Sequence, residues 1–500
     1  MHRPVPILTM AASALLVAGC MVGPDFLRPA APKASSYTQQ TLASTTASAD
    51  TQGGEAQRFL AGRDIPGEWW DLYRSQTLNA LIAEAVTANP TLAAARATLT
   101  QSHELALAGA GQLFPTVSAG ASSTREKFSN VGFGGSGGTI FSVNSASLSV
   151  DYTLDIFGGT RRTVESLEAQ TEFERFELEA AYLALTANVV TAAVQEASLR
   201  DQITATQRII DIESQTLERL KRDFAAGASN NTAVLQQAAT LAQTRATLPP
   251  LQKSLAQTRD QLAALLGRMP SDMPSAQFEF ADLVLPQELP VSLPSQLVEQ
   301  RPDIRAAEAQ LHSASAQIGV AIANMLPQLS LSATLGSTAS NALFQPGTGV
   351  WSLGGALIQP IFEGGTLLHR KRAADAAFDV AAAEYRITVV AAFQNVADAL
   401  YALQLDAETL NAQLAAERAA VDSLAVARRQ LELGAGSYLT LLNAELTYQQ
   451  ARLTLVQAQA ARFSDTAALF QALGGGWWNR TDIASSIQYR GTAPQTLVKG

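Results

Sequence analysis

The sequence predicts an α+β membrane protein made by internal duplication, and three observations carry that prediction. A cysteine closes an apolar leader, short alternating strands come in two pairs, and each pair precedes a proline-free helical stretch. Those stretches far exceed the 10–14 residues usual for a globular helix.

The leader reads MHRPVPILTMAASALLVAGC. His2 and Arg3 open it, Val5 to Val17 are almost wholly apolar, and Ala18 and Gly19 lead into Cys20, the one cysteine of the chain. A basic head, an apolar run of about 7–15 residues and a small-residue cleavage site make a secretory signal peptide. A single thiol forms no internal disulfide and rarely makes a metal site. As the residue after the cut, in LVAGC, Cys20 matches a lipobox, and its thiol would carry a diacylglyceryl group in the outer membrane. Met21 stands where an aspartate would favour the inner membrane in sorted lipoproteins. A plain signal peptide with a chance cysteine is the simpler alternative. A spanning anchor would need about 20 apolar residues.

Charged residues make up only 16 % of the chain, against about 25 % in soluble domains. The formal net charge of −9 argues against nucleic acid as a partner. No other apolar run reads as a spanning helix, so a membrane crossing has to be a barrel.

The duplication shows in three matches in the same order. NPTLAAARATLTQSHELALAGAGQLFPTVSAGA lines up with RPDIRAAEAQLHSASAQIGVAIANMLPQLSLSA, so that Pro90 falls on Pro302, Leu99 on Leu311 and Pro115 on Pro327. IFGGT (156–160) echoes IFEGGT (361–366), and GASNNTAVLQQA aligns with GAGSYLTLLNAE. The domain plan is therefore a signal peptide (1–19), a lipidated extended tail (20–67) and a first repeat (68–267) with a hairpin at 116–157. A proline-rich connector (268–292), a second repeat (293–474) with a hairpin at 328–362, and a C-terminal appendage (475–500) follow.

Alternation is clearest in SLSVDYTLDIF and QLSLSATL, where apolar and polar residues exchange at every step. TVSAGASST and VWSLGGALIQP are weaker, and each pair gives a hairpin of strands near the 9–11 residues that cross a bilayer. Four strands leave two open edges, which hydrocarbon does not tolerate. Two chains would make a barrel of eight strands, filled by its own side chains. Three would make twelve, with a passage. A soluble sandwich is the alternative.

From Thr160 to Ala226 the helical stretch would span roughly 100 Å. Ile203, Ile210, Leu217 and Phe224 recur every seven residues, as do Leu403, Leu410, Leu424 and Leu431, the seam of a coiled coil. Gly227 and Gly434 end the long helices, and Ser229 or Asn230, and Ser437, can cap the shorter returns. The helices before the strands, near 78–113 and 294–326, are about as long as the returns. A return stacked on one of them would match the long partner, giving a tall helical cylinder.

With these pieces placed, the chain resembles the outer membrane factor family, TolC-like channels of the NodT/OprM-type efflux lipoproteins. GCMVGPDFLRP, EWWDLYRSQTLNALIAEAVTANPTL, QLFPTVS, MLPQLSLSATLG, PIFEGG and VEQRPDIRAAEAQL carry the resemblance across essentially the whole chain. It implies a homotrimer in the outer membrane, with a 12-stranded β-barrel continuous with a periplasmic 12-helix α-barrel. It implies a passive duct for small molecules, served by a periplasmic adaptor and an inner-membrane pump of the resistance–nodulation–division class. Gly227, Ala228, Ser229 and Asn230, with Gly434, Gly436 and Ser437, would form the tip that meets the adaptor. Leu439 and Asn443 would line the narrowest point, with asparagine where OprM-like members carry an aspartate. A duct for type I protein secretion, or a lipid-anchored scaffold without a pore, are the alternatives.

Nothing points to an enzyme, a cofactor or a metal. GGSGG (134–138) fits the G-x-S-x-G pattern, but lies in a loop between strands and not on a strand-to-helix elbow. His2, His103, His312 and His369 lack metal-ligand spacing, and no phosphate loop is present.

Overall fold

A computed structural model describes residues 21–40, 42–129, 138–273 and 278–480. The signal peptide, Cys20, most of the GGSGG loop and the end of the C-terminal appendage lie outside the described residues. In chain order come β1 (Arg58–Ala61), α1 (Gln76–Ala88), α2 (Pro90–Gly111), β2 (Thr116–Ser129), β3 (Gly138–Leu154), α3 (Gly159–Ala225) and α4 (Asn231–Leu265). Then follow β4 (Glu288–Val291), α5 (Pro294–Gln300), α6 (Pro302–Ala323), β5 (Gln328–Ala339), β6 (Gly349–Ile358), α7 (Thr366–Glu432) and α8 (Tyr438–Ala472).

The repeat keeps helix length in three of its four helix pairs; α1 and α5, of 13 and 7 residues, differ. α2 and α6 each have 22 residues, α3 and α7 each 67, α4 and α8 each 35. Each helix before a hairpin, expected as one piece, breaks in two. Asn89 and Arg301 precede Pro90 and Pro302, and both adopt extended backbone, with ψ of 123°. The proline ring disfavours helical backbone one residue upstream. At the first break the Asn89 carboxamide accepts the Thr91 N–H at 2.8 Å and so starts α2.

The chain divides into two compact units. One takes Met1–Pro29, Ala97–Arg175 and Ala306–Arg386. It holds the antiparallel sheet β2-β3-β5-β6. Its register stacks like with like. Val117, Val150, Ala333 and Leu353 form one cross-strand row, and Ala119, Leu148, Leu335 and Trp351 the next. Ser118, Ser149, Thr334 and Ser352 form the row between them, on the opposite face. β2 and β3 run to 14 and 17 residues because they continue past these rows into the polar Arg125–Ser129 stretch. Residues 22–28 run along this unit. Val22 N–H donates to Phe157 O at 3.1 Å, Phe26 stacks on His312 at 4.4 Å, and Arg28 pairs with Glu308 at 3.0 Å. The buried Arg162 guanidinium donates to Val22 O, Asp25 and Glu165.

The other unit takes Ala30–Arg96, Phe176–Arg305 and Ile387–Gly500. β1 and β4 pair in parallel. Trp69 stacks on Phe470 at 5.2 Å, Phe280 on Phe463 at 5.7 Å, and Tyr73 Oη donates to Phe463 O at 2.8 Å. Leu403, Leu410 and Leu424 are buried along α7, as the seven-residue spacing requires. On α3 the spacing holds but its phase moves. Ala205, Ile209, Glu213, Leu217 and Leu220 are buried, whereas Phe224 is 46 % exposed. Leu217 keeps its expected place, but Ala205 and Glu213 share that seam with Ile209 and Leu220, so large apolar residues alone do not mark it. One 18-residue window of α3 reaches a mean hydropathy of 1.2, and 56 % of it is buried within the chain. That is a core stretch.

The segment expected as an extended tail is extended but strapped down. Fully buried, the Arg462 guanidinium donates to Leu403 O at 2.8 Å, Glu55 O at 3.1 Å and Gly53 O at 3.4 Å. Gln57 donates to Pro286 O and to Thr466 Oγ1, each at 2.9 Å. Removing a charged donor strands its buried acceptors, at roughly 1.5–3 kcal/mol per bond to a charged group. Arg462→Met is therefore expected to destabilise the unit by about 3 kcal/mol. It should also speed amide exchange across residues 44–57. Unchanged exchange there would contradict the clasp.

Candidate functional site

The two glycine turns are built alike. Gly227 has φ +76° and Gly434 φ +69°, the left-handed backbone that glycine adopts freely. At the first turn Ala228 N–H donates to Asp223 O at 2.8 Å and Gly227 N–H to Phe224 O at 3.0 Å. At the second, Ala435 N–H donates to Gln430 O at 2.9 Å and Gly434 N–H to Leu431 O at 3.1 Å. These bonds satisfy the last carbonyls of α3 and α7. Of the two candidate caps at the first turn, Asn230 does the work. Its Oδ1 accepts Ala233 N–H at 2.8 Å, and Ser437 Oγ accepts Thr440 N–H at 3.2 Å at the second turn. Ser229 makes no cap. Gly436 is needed for space, because a Cβ there would come within 2.9 Å of the Gln430 side chain.

α8 leaves the second turn with two unlike faces. Leu441, Leu442, Ala444 and Glu445 are buried, and Leu441 and Ala444 pack against Leu424 and Ala427 of α7. Leu439 (55 % exposed), Asn443 and Leu446 lie at helical spacing on the other face, open in the single chain. Leu439 is thus not committed to packing within its own chain.

Sequence reasoning missed the polar seam behind that face. Tyr438 Oη donates to Gln237 Oε1, and Gln237 Nε2 donates to the Glu213 carbonyl at 3.1 Å. This ties α8 through α4 to α3. Thr244 Oγ1 donates to Glu213 Oε1 at 3.0 Å, and Arg428 Nη2 stands 3.8 Å from Glu445 Oε1. Burial pushes the Tyr438 hydroxyl and the Glu213 carboxyl up, and Glu445 up to about 7, with Arg428 opposing and Glu213 reinforcing the last. The sequence signal was helical spacing alone, which can mark a buried position but not a pair. Glu213 falls seven residues after buried Thr206 and before buried Leu220, and Glu445 four after buried Leu441.

In the other unit the sheet carries its apolar face outward. Leu335 is 65 %, Leu353 78 % and Trp351 79 % exposed, and every residue of the edge strands β2 and β6 is exposed. A soluble sheet would bury this face. Met21 lies against Gly158, where β3 gives way to α3, so that a Cβ on Gly158 would come within 2.4 Å of the Met21 side chain. Among the described residues no group of three or more His, Cys, Asp or Glu side chains is arranged to hold a metal.

The geometry has counterparts among known proteins. Residues 81–268 and 293–475, one stretch in each repeat, match the family model for outer membrane efflux proteins. The probable efflux pump outer membrane protein TtgC of Pseudomonas putida is 30 % identical over 485 residues, 96 % of this chain and 97 % of that one. The outer membrane protein VceC of Vibrio cholerae superposes with a TM-score of 0.76 at 28 % identity, over 83 % of this chain and all of that one. The open state of the MtrE outer membrane channel of Neisseria gonorrhoeae gives 0.77 at 27 % identity, over 92 % of this chain and all of that one. The chain belongs to the outer membrane efflux protein family.

Proposed function

We propose that three copies of the chain close their sheets into one 12-stranded barrel in the outer membrane, continuous with a 12-helix barrel in the periplasm. The duct passively exports small molecules. A periplasmic adaptor docks on the turns at Gly227–Asn230 and Gly434–Ser437, and an inner-membrane pump of the resistance–nodulation–division class supplies the energy. The chain is a transport protein, not an enzyme.

One observation carries this reading: a four-stranded sheet with one apolar face exposed, one polar face, and an unpaired edge on either side. Hydrocarbon accepts the apolar face and rejects the edges. Neighbouring copies remove the edges, and the polar face then lines water.

The lipid anchor at Cys20 follows the same logic. Val22 is bonded to Phe157 at the end of β3, and Arg162 holds the next residues. An acyl chain one residue before Met21 therefore enters the bilayer beside the strand ends. A diacylglyceryl group brings two acyl chains, enough for stable anchoring, and the barrel adds a second hold.

At the turns, three copies of Leu439 form an apolar ring that resists wetting, one way for a pore to close. Asn443 adds a hydrogen-bonding ring without charge, and so with little preference for cations.

Leu335→Arg on the apolar face is expected to cost the membrane-inserted protein about 2–4 kcal/mol. Ser149→Arg, on the opposite face, should cost little. Equal losses in refolding titrations would reject the assigned faces. In planar bilayers the purified protein should conduct, and Leu439→Ala should raise its resting conductance severalfold. A scaffold without a pore would give no current, and an unaltered current in the variant would remove Leu439 from the gate.

A further inference from the structure

We propose that Glu213 and Glu445 form a proton-operated latch between the α3/α4 and α7/α8 hairpins: protonated, they let the hairpins pack, and ionised, they push them apart. The proposal rests on the reading of the turns as the inner mouth of the duct.

Both glutamates are buried, Glu213 fully and Glu445 to 2 % exposure. Neither Glu445 oxygen has a hydrogen-bonded partner, although the Thr216 side chain lies beside it, and Glu213 Oε2 has none. The groups on all four helices leave them short of positive charge. On α3, Arg219 faces Glu432 of α7 at 4.0 Å. On α4, Arg245 bonds Ser214 Oγ at 3.3 Å, and Thr244 and Gln237 are neutral. On α8, Tyr438 is neutral and spent on Gln237, and Tyr448 packs against the apolar cluster of Leu424 and Leu441. Among the described residues, only Arg428 of α7 comes within ion-pair distance, at 3.8 Å, and it faces Glu445. That cation stands near Glu445, and Glu213 has only the Thr244 hydroxyl on its carboxylate.

An ionised carboxylate without partners is costly in a dry seam, and two of them repel. Protonation removes the charge and turns an unmet acceptor into a donor. Burial and the neighbouring Glu213 raise Glu445 from 4.5 to about 7 in the packed state, against the pull of Arg428. The packed state thus holds its proton more tightly than a hydrated glutamate does. Packing is unpenalised below about 4.5, weakens as pH rises toward 7, and is weakest above it. The linkage reaches the gate, because Leu439 follows Tyr438, whose hydroxyl is tied through Gln237 to the Glu213 backbone.

The test uses the full-length protein purified from membranes, with two readouts between pH 4.5 and 8. One is conductance in planar bilayers. The other is amide exchange of residues 225–233 and 432–441, corrected for intrinsic pH dependence. Wild type should open with rising pH, conductance and corrected exchange each increasing on the order of tenfold. Glu445→Gln, which keeps the shape and loses the charge, should remove most of that increase and stay in the low-pH state. Glu213→Gln, which removes the repulsion and one of the two buried carboxylates, should lower the packed-state pKa of Glu445. The rise then becomes smaller and its midpoint moves toward lower pH, while a pH response remains. A Glu445→Gln profile that matches wild type in both readouts overturns the latch, as does a wild type flat in both. Absence of current with pH-dependent, Glu445-dependent exchange keeps the latch and rejects the duct.

Discussion

The unpaired edge is the constraint from which the rest follows. A four-stranded sheet ends in two rows of free backbone N–H and C=O groups, on β2 and β6. In water those rows would be solvated, but the apolar face beside them belongs in lipid. Within hydrocarbon each unmet group costs several kcal/mol. The chain cannot satisfy both demands alone. On the proposed reading assembly is part of folding, because the two other described strands, β1 and β4, pair with each other and add nothing to this sheet.

Duplication makes that solution economical in sequence. Each repeat carries one hairpin, one 67-residue helix and one 35-residue return, so one plan supplies strands and helices in equal ratio. Each long helix starts a few residues beyond its hairpin and ends at a left-handed glycine. The two halves then diverge near the turns. Position 443 on α8 is Asn, exposed, and its counterpart in α4 is Gln236. The partner of Tyr438 on α8 is Gln237 of α4, in the other repeat, so the turns are tied together across the duplication.

Much of this was legible from residues alone, for physical reasons that differ by element. The turns were readable because Gly227 and Gly434 must adopt positive φ and because Asn230 and Ser437 are capping types. The strands were readable because alternation with a period of two has few other meanings in SLSVDYTLDIF. The breaks at Pro90 and Pro302 were also readable, yet the helical periodicity on either side outweighed the prolines. Tertiary features were not. Arg462 reveals its role only when residues 53–55 lie across α8, and Glu213 and Glu445 become a pair only when two hairpins distant in sequence meet. The α3 seam misled because Ala205 and Glu213, not Phe224, occupy it.

The most direct test of the central claim is the mass of the intact assembly, freed from detergent in the gas phase, with strand content followed as subunits separate. Three chains per particle, and loss of strand signal when they part, are the expected results. A single chain that keeps its four strands folded and stable in detergent would contradict the account, because its edges would then need no neighbours.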